Sequence, residues 1–339
     1  RTSPIPASTT PMANTDFAGK VGFAIGTGRC GTLFLYQLMD KEPAVASSHE
    51  RNPDNETFHR FCQWHGLPVD DGGFLYAKDR EIRADLAQKA YSFEASPYLS
   101  ISVRQLYERF GAKFVLVVRR PDRVVTSFVH KGFYKRTYQV ENVDLATGYQ
   151  DQSPEKVHTF FARIAPRGPF LRTWNDMSQV GRVAWFWRAW NERTLEELDK
   201  LPKDAWRLQR IEDFDHAAYC DTARWLGYQP QVTQADFDAL SESKPHAFWR
   251  KRNIDQWTAQ EVGEFEGQVG DLATKLGYDW RIAGLVDEAR AEREAAMAAG
   301  HIPQPKKGPQ MWRLRRSTAD LLRGIGKGFE NVAKGVDVE

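Results

Sequence analysis

The sequence predicts an α/β fold in which a central parallel sheet is covered by helices. Short apolar runs of strand length alternate with segments of helical spacing, and this alternation is typical of βα units. The runs Lys20–Ile25 (KVGFAI) and Lys113–Val118 (KFVLVV) have hardly a polar side chain after their first lysine, which indicates strands buried on both faces. Gly181–Leu198 has the apolar spacing of a long helix that packs on such a sheet.

The other predicted elements continue the same alternation. A glycine loop after the first run leads into a helix at Leu33–Met39, which Pro43 ends because proline cannot continue a helix. Residues 130–180 are predicted to be an irregular insertion rich in aromatic and basic side chains. Further strands are predicted at Ala44–Ser48, Ala90–Glu94 and Trp206–Ile211, and further helices at Asn55–Gln63, Ser100–Gly111, Cys220–Leu226, Ala259–Leu276 and Asp287–Met297.

The composition excludes several classes of protein. The 339 residues include 47 Lys and Arg against 45 Asp and Glu, a net charge of +2, which argues against a general nucleic-acid coat. A hydrophobic content of 41% excludes disorder of the whole chain. No stretch approaches the ~18 apolar residues of a membrane-spanning helix, and no signal peptide is recognisable. Cys30, Cys62 and Cys220 are too few for a disulfide framework, so we expect free thiols and a cytoplasmic location.

The chain is predicted to have three parts. Residues 1–16 are a flexible tail, residues 17–285 form the folded domain, which includes the 130–180 insertion, and residues 286–339 form a charged and basic helical tail. Residues 301–339 carry eight Lys and Arg against four Asp and Glu. Such a helix suits packing on the domain, pairing with a second copy of the chain, or a weak contact with an anionic surface.

A glycine-rich loop joins the first predicted strand to the first predicted helix. Its residues are Gly26, Thr27, Gly28, Arg29, Cys30, Gly31 and Thr32. Backbone amides and the positive end of the helix converge there, which suits a phosphate. Arg29 adds a guanidinium fork for a terminal anionic group, and Thr32 adds a hydroxyl in the first turn.

The same loop has other readings. Gly26, Gly28 and Gly31 form G-x-G-x-x-G, and Glu50 follows about 20 residues later, as in dinucleotide-binding proteins. A P-loop nucleoside triphosphatase would carry lysine where Thr32 stands, so metal-assisted phosphoryl transfer is disfavoured. A glycine turn without a ligand stays open.

Two later segments are also suited to anions. Arg119 ends the second apolar run, and Ser127 lies eight residues later in the next predicted helix, where the two side chains can grip a phosphate. The run Arg250, Lys251 and Arg252 stands between aromatic residues in HAFWRKRNIDQW. Adjacent cations repel one another unless an anion is present, and the aromatic rings can stack on a base. The alternatives are a solvated helix start and a solvated basic loop.

In this order and spacing, the three segments resemble those of the sulfotransferases that use 3′-phosphoadenosine 5′-phosphosulfate (PAPS). GTGRCGT resembles the family's 5′-phosphosulfate loop, RRPDRVVTS its 3′-phosphate motif, and FWRKRNIDQW the late loop that closes over the 3′-phosphate. WRLQRIEDF followed by ARWLGY also resembles the family, so the resemblance spans about residues 20–280. It implies a P-loop-like three-layer fold, PAPS as cosubstrate and adenosine 3′,5′-bisphosphate as product. We predict no metal site.

Two residues depart from the family's pattern. Arg120 occupies a position where many members have Asp, and Arg252 replaces the usual glycine of the late loop. The departures leave the predicted fold intact and bear on how the late loop closes.

Transfer to a hydroxyl also needs a group that accepts the proton. Glu50 follows the second predicted strand, whose end we expect beside the glycine loop. It lies 21 residues after Arg29, the interval at which the tyrosylprotein members of the family carry their catalytic glutamate. We predict Glu50 as the general base, with His49 as the second candidate and Glu94 as the third.

The predicted function is therefore transfer of a sulfuryl group from PAPS to an acceptor hydroxyl. The aromatic and basic insertion favours a carbohydrate or glycolipid, with a phenol, another small alcohol or a polyketide as alternatives. Two other functions stay open, an NAD(P)-dependent oxidoreductase and a nucleotide-binding module without catalysis. We expect no nucleic-acid partner, and a homo-oligomer stays open.

Overall fold

A computed structural model describes residues 15–149, 157–242 and 253–300, and a five-stranded sheet forms its centre. All neighbouring strands are parallel, in the order β2-β3-β1-β4-β5. The strands are β1 (Val21–Gly26), β2 (Val45–His49), β3 (Tyr91–Ala95), β4 (Lys113–Val118) and β5 (Trp206–Arg210). The predicted α/β fold with a central parallel sheet is confirmed.

Helices lie on both faces of this sheet. The helices of the described residues are α1 (Thr32–Asp40), α2 (Pro53–His65), α3 (Asp71–Leu86), α4 (Val103–Phe110), α5 (Pro121–His130), α6 (Val157–Phe161), α7 (Phe170–Asp176), α8 (Gln179–Leu198), α9 (His216–Leu226), α10 (Gln234–Glu242), α11 (Ala259–Lys275) and α12 (Ile282–Ala298). In its described part, the predicted irregular insertion contains only the short helices α6 and α7.

Helices α3 and α10 were not predicted from the sequence. Helix α3 has Gly72 and Gly73 in its first turn, and glycine is a weak helix former. The carboxylate of Asp70 compensates by accepting a hydrogen bond from the Gly72 amide at 2.9 Å. A cap of this kind stabilises a helix whose residue preferences alone do not mark its start.

The side chains of the central strands alternate between two apolar layers. Phe23 of β1 and Phe114 of β4 face the layer formed with α4, α5, α8 and α11, whereas Ala24 and Val115 face the layer formed with α1, α9 and α10. Trp187 of α8 is fully buried in the first layer. The central strands are therefore buried on both faces, as their apolar runs predict.

The order of the strands brings the glycine loop and the Arg119 segment to one place. The chain leaves β1 toward β2 on one side and leaves β4 toward β5 on the other. Ligands of open parallel sheets bind at the carboxyl ends of strands where the winding reverses in this way. The crevice between the ends of β1 and β4 is therefore where we expect a ligand.

The chain divides into two compact units, residues 1–292 and 293–339. Residues 1–14 and 301–339 lie outside the described residues. The predicted boundaries after residues 16 and 285 stay predictions. None of the helices in the described part combines the length and apolarity needed to cross a membrane.

Replacing Gly26 by alanine should destabilise the protein strongly. A Cβ at this position would lie 2.5 Å from the carbonyl oxygen of Val117 and 2.8 Å from the Cys30 sulfur. Because Val117 belongs to the neighbouring strand, the clash cannot be relieved by turning a side chain. Gly26→Ala should lower the free energy of unfolding by about 2 kcal/mol or more in a urea titration.

Gly111→Ala is the matched control, because Gly111 also has a positive φ of 60° but no atom within 4 Å of an added Cβ. It should lose only about 1 kcal/mol. Equal losses in the two variants would mean that the close approach of β1 and β4 is not what requires glycine at position 26.

Candidate active site

The glycine loop is fixed at both of its ends. The Ser100 hydroxyl accepts a hydrogen bond from the Gly26 amide at 3.1 Å and donates one to the Gly26 carbonyl at 2.9 Å. The Trp190 indole N–H donates to the same carbonyl at 2.9 Å. At the other end Gly31 has a φ of 117°, and a Cβ there would lie 2.6 Å from the Ile211 side chain. The loop conformation therefore depends on the sheet and on α8.

The N-terminus of α1 follows the loop directly and has no side-chain cap. Its N-cap residue, Gly31, lacks a side chain that could bond to the first helical amides, and Thr32, the first residue of the helix, is buried. Thr27 donates its hydroxyl to the Gly28 carbonyl at 2.8 Å. Cys30 is fully buried, and burial raises the pKa of its thiol. The uncapped helix start suits an anion.

The first two predicted anion segments contact each other. Arg29 donates from Nε to the Ser127 hydroxyl at 3.0 Å, and Arg119 donates from Nη1 to the Arg29 carbonyl oxygen at 3.2 Å. Burial lowers the pKa of Arg119, while the nearby Glu212 opposes that shift. Two guanidinium groups and the Ser127 hydroxyl thus lie together at the carboxyl ends of β1 and β4.

Arg120, the first departure from the family's pattern, pairs with carboxylates. Its guanidinium contacts Asp122 and Glu288, each at 2.7 Å, and its backbone amide donates to Glu212 at 2.9 Å. Arg123 pairs with Glu288 of the same helix α12 at 3.0 Å. These ion pairs offset the extra positive charge that arginine brings at position 120.

The predicted late loop is described only at its end. Arg250, Lys251 and Arg252 lie outside the described residues. Asn253, the next residue, accepts a hydrogen bond from the Thr126 hydroxyl at 3.3 Å. The first described residue after the late loop therefore lies against Thr126, which precedes Ser127 in α5.

Glu50 occupies a sharp turn at the end of β2. Its backbone has a left-handed φ of 46° and its amide donates to the Ala95 carbonyl at 3.1 Å. The Tyr98 hydroxyl donates to the Glu50 carboxylate at 3.3 Å, and the His49 ring nitrogen lies 3.9 Å from the other carboxylate oxygen. Burial lowers the pKa of His49, which is opposed by the charges of Glu50 and Glu94. The carboxylate is thus held half-buried by an aromatic hydroxyl.

Arg29 and Glu50 share an unusual backbone conformation. In the described part of the chain, Arg29, Glu50 and Tyr134 are the residues other than glycine with positive φ. This conformation is costly for residues with a Cβ and is common at functional sites.

The prediction that β2 ends beside the glycine loop is wrong. Strand β3 lies between β2 and β1, so the backbone at Glu50 is about two strand spacings, or about 10 Å, from the end of β1. The turn after β3 lies between Glu50 and the glycine loop and is close to both. Pro97 lies 3.5 Å from the position of a Cβ on Gly28, and its neighbour Tyr98 contacts Glu50.

Both carboxylate oxygens of Glu94, the third candidate for the general base, already have partners. It is 4% exposed, one carboxylate oxygen lies 2.8 Å from the Lys78 ammonium, and the other accepts a hydrogen bond from the Arg51 amide at 3.2 Å. Burial alone would raise the pKa of Glu94, but Lys78 and Arg51 lower it. This geometry suits a residue that holds the backbone beside Glu50 in place.

Lys78 is buried near Glu50 and was not predicted as a site residue, because its helix α3 was not predicted either. Its ammonium contacts Glu56, and lies 2.8 Å from both Glu81 and Glu94. These three carboxylates form the one group found in the described residues whose spacing would suit a metal ion, and the ammonium lies among them. Burial and the charge of Glu94 raise the pKa of Glu56 to about 8.

The fold and the glycine loop together define a P-loop-like α/β protein whose candidate site lies at the ends of β1 and β4. No family model and no curated protein sequence matches the chain. The solved structures to which it is similar include sulfotransferases.

The sulfotransferase domain of the Synechococcus PCC 7002 olefin synthase aligns at 13% identity and a TM-score of 0.42, covering 80% of this chain and 98% of that one. Sulfotransferase STF9 from Mycobacterium avium aligns at 11% and 0.48, covering 78% of each chain. The sulfotransferase domain from the curacin biosynthetic pathway aligns at 13% and 0.40, covering 77% and 98%. At such identities, what this chain does has to be argued from its own residues.

The protonation of Glu56 should make stability depend on pH. The folded protein keeps a proton on Glu56 up to a pKa of about 8, whereas the ordinary value is 4.5. Between these values unfolding releases a proton, so stability is greatest at the low end and falls as the pH rises through 8. Glu56→Gln removes this group and should flatten the decline in Tm between pH 6 and pH 9, measured by circular dichroism.

Glu108→Gln is the control, because Glu108 is half exposed and lies 3.5 Å from Arg104 on the protein surface. Its decline in Tm should match that of the unmodified protein. A decline that persists in Glu56→Gln would place the titrating group elsewhere.

Proposed function

We propose that this protein transfers the sulfuryl group of PAPS to an acceptor hydroxyl and releases adenosine 3′,5′-bisphosphate. The observation that supports this most is the contact between the two predicted anion segments. Arg29, Ser127 and Arg119 come from different parts of the chain and meet at the ends of adjacent strands. A donor with phosphates at both ends of one ribose needs such a pair of grips.

The proposed reaction is an in-line displacement at sulfur. The acceptor oxygen forms a bond to sulfur while the bond from sulfur to the 5′-phosphate oxygen breaks, and the acceptor proton passes to Glu50. Arg29 stabilises the negative charge on the oxygens of the transferred group, and the amides at the start of α1 hold the 5′-phosphate. Arg119 and Ser127 hold the 3′-phosphate.

We further propose that three adjacent cations of the late loop, Arg250, Lys251 and Arg252, close over the same 3′-phosphate. The support is the position of Asn253, which is bonded to Thr126 next to Ser127.

The strand order weighs against the oxidoreductase alternative. In the dinucleotide-binding fold the acidic residue that contacts the ribose ends the strand next to β1. Here β3 is next to β1, and Glu50 ends β2 one strand farther away. The G-x-G-x-x-G spacing is therefore present without the neighbour that its usual function needs.

For the acceptor, we propose a carbohydrate or glycolipid hydroxyl, with a phenol, a small alcohol or a polyketide as the alternatives. The insertion supplies the support, because it combines aromatic faces with arginine. The Arg163 guanidinium lies 5.1 Å from the Phe133 ring centre, and both side chains are partly exposed. Aromatic faces beside cations suit both polyhydroxylated and flat acceptors.

Nucleotide binding tests the two grips. Adenosine 3′,5′-bisphosphate should raise the Tm of the protein, and NAD(H) should not. Arg119→Ala and Ser127→Ala should each weaken the bisphosphate about tenfold or more in calorimetry and adenosine 5′-phosphate far less, because only the bisphosphate carries the 3′-phosphate. Arg104→Ala, which removes a surface cation paired with Glu108, should change neither affinity.

Equal weakening of both nucleotides would contradict the proposed role of Arg119 and Ser127. Stabilisation by NAD(H) would favour the oxidoreductase. Tight binding of the bisphosphate without transfer of labelled sulfate from PAPS to any acceptor pool would favour a nucleotide-binding module.

Glu50→Gln tests the general base. Glutamine keeps the shape of the side chain but cannot take a proton, so kcat should fall by about 10² while the affinity for the bisphosphate is unchanged. His49→Ala should reduce kcat clearly less. An unchanged kcat in Glu50→Gln, with loss of activity in His49→Ala, would transfer the role to His49.

A further inference from the structure

Arg60 of α2 is a buried cation for which the described residues provide no carboxylate within ion-pair distance. It is 2% exposed, and its Nη2 donates to the Ala162 carbonyl oxygen at 2.6 Å. Its Nε is buried without a hydrogen-bond partner. Burial lowers the pKa of Arg60 to about 10, so the side chain is still charged at neutral pH.

The Arg60 guanidinium packs on two aromatic rings, one of which contacts the glycine loop and the other Glu50. Its central carbon lies 4.5 Å from the Trp190 ring centre and 5.1 Å from the Tyr98 ring centre. Trp190 holds the Gly26 carbonyl at the start of the glycine loop, and Tyr98 holds the Glu50 carboxylate. Trp190 therefore lies between Arg60 and the glycine loop, and Tyr98 lies between Arg60 and the proposed base.

This arrangement costs stability. A buried guanidinium loses its hydration, and the two ring contacts, one carbonyl and the more distant Glu50 carboxylate replace only part of it. A hydrocarbon side chain of similar length would fill the space without that cost. A charge that local stability disfavours, placed between two functional elements, points to a role in function.

We propose that Arg60 is a positioning residue for the transfer reaction, which fixes the separation between the Glu50 carboxylate and the glycine loop. The inference rests on the proposed function. A flat cation can lie against both the Trp190 and Tyr98 rings, and its charge attracts their π faces. Its bond to Ala162 ties the same group to the insertion proposed to bind the acceptor.

Arg60→Met and Arg60→Lys separate positioning from stability. Methionine removes the charge with its desolvation cost, keeps most of the volume and leaves one carbonyl, that of Ala162, without its donor. The Tm should therefore stay close to that of the unmodified protein, and the Kd for adenosine 3′,5′-bisphosphate should stay within twofold. The kcat should nevertheless fall about tenfold or more. Lysine restores a cation without the flat fork and should recover part of the lost kcat.

Arg182→Met is the matched control for a buried arginine with a structural role. Arg182 donates to the carbonyl oxygens of Tyr134 at 3.1 Å and Asn175 at 2.9 Å, which would lose their partner. Its Tm should therefore fall, in contrast to Arg60→Met.

The outcomes distinguish the inference from the proposed function. If the unmodified protein transfers sulfate and Arg60→Met keeps full kcat, the positioning role is overturned and the proposed function stands. A fall in Tm like that of Arg182→Met would also overturn it, because Arg60 would then be structural. If the unmodified protein transfers no sulfate, the proposed function fails and the inference fails with it.

Discussion

The proposed site depends on the parallel pairing of β1 with β4. Gly26 at the end of β1 is in register with Val117, and their backbones approach so closely that no Cβ fits between them. This contact sets the distance between the two loops that follow, and it allows Arg29 to reach Ser127 across 98 positions of sequence. Without the pairing, the two anion segments would be unrelated surface loops.

Much of this arrangement was predictable because it is encoded locally. The glycine loop, Arg119 and Ser127 follow strands whose apolar runs are unmistakable, and a parallel sheet places the loops after those strands at one edge. The position of β2 was not predictable in the same way. Whether a second strand pairs with the first or leaves room for a third depends on the crossover, and Glu50 is consequently one strand farther from the loop than expected.

Lys78 and Arg60 escaped prediction for a different reason. In the sequence, Lys78 is one charged residue in a charged segment, and Arg60 is one arginine between aromatic residues. Only tertiary packing buries them, with Lys78 among three carboxylates and Arg60 against the Trp190 ring. A helical pattern with a clear polar face would have placed both side chains in solvent, since charged residues are rarely buried without a partner.

The buried charges and the strained backbone at Glu50 belong to one mechanical unit. The left-handed turn at Glu50 costs free energy, and the backbone amide of its neighbour Arg51 donates a hydrogen bond to the Glu94 carboxylate at 3.2 Å. Glu94 is in turn fixed by Lys78 at 2.8 Å. A buried ion pair contributes little net stability compared with apolar packing, but it is directional and resists displacement. In this protein, the directional contacts of Lys78 and Glu94 keep the carboxylate of the proposed base at one position relative to the loop that carries Arg29.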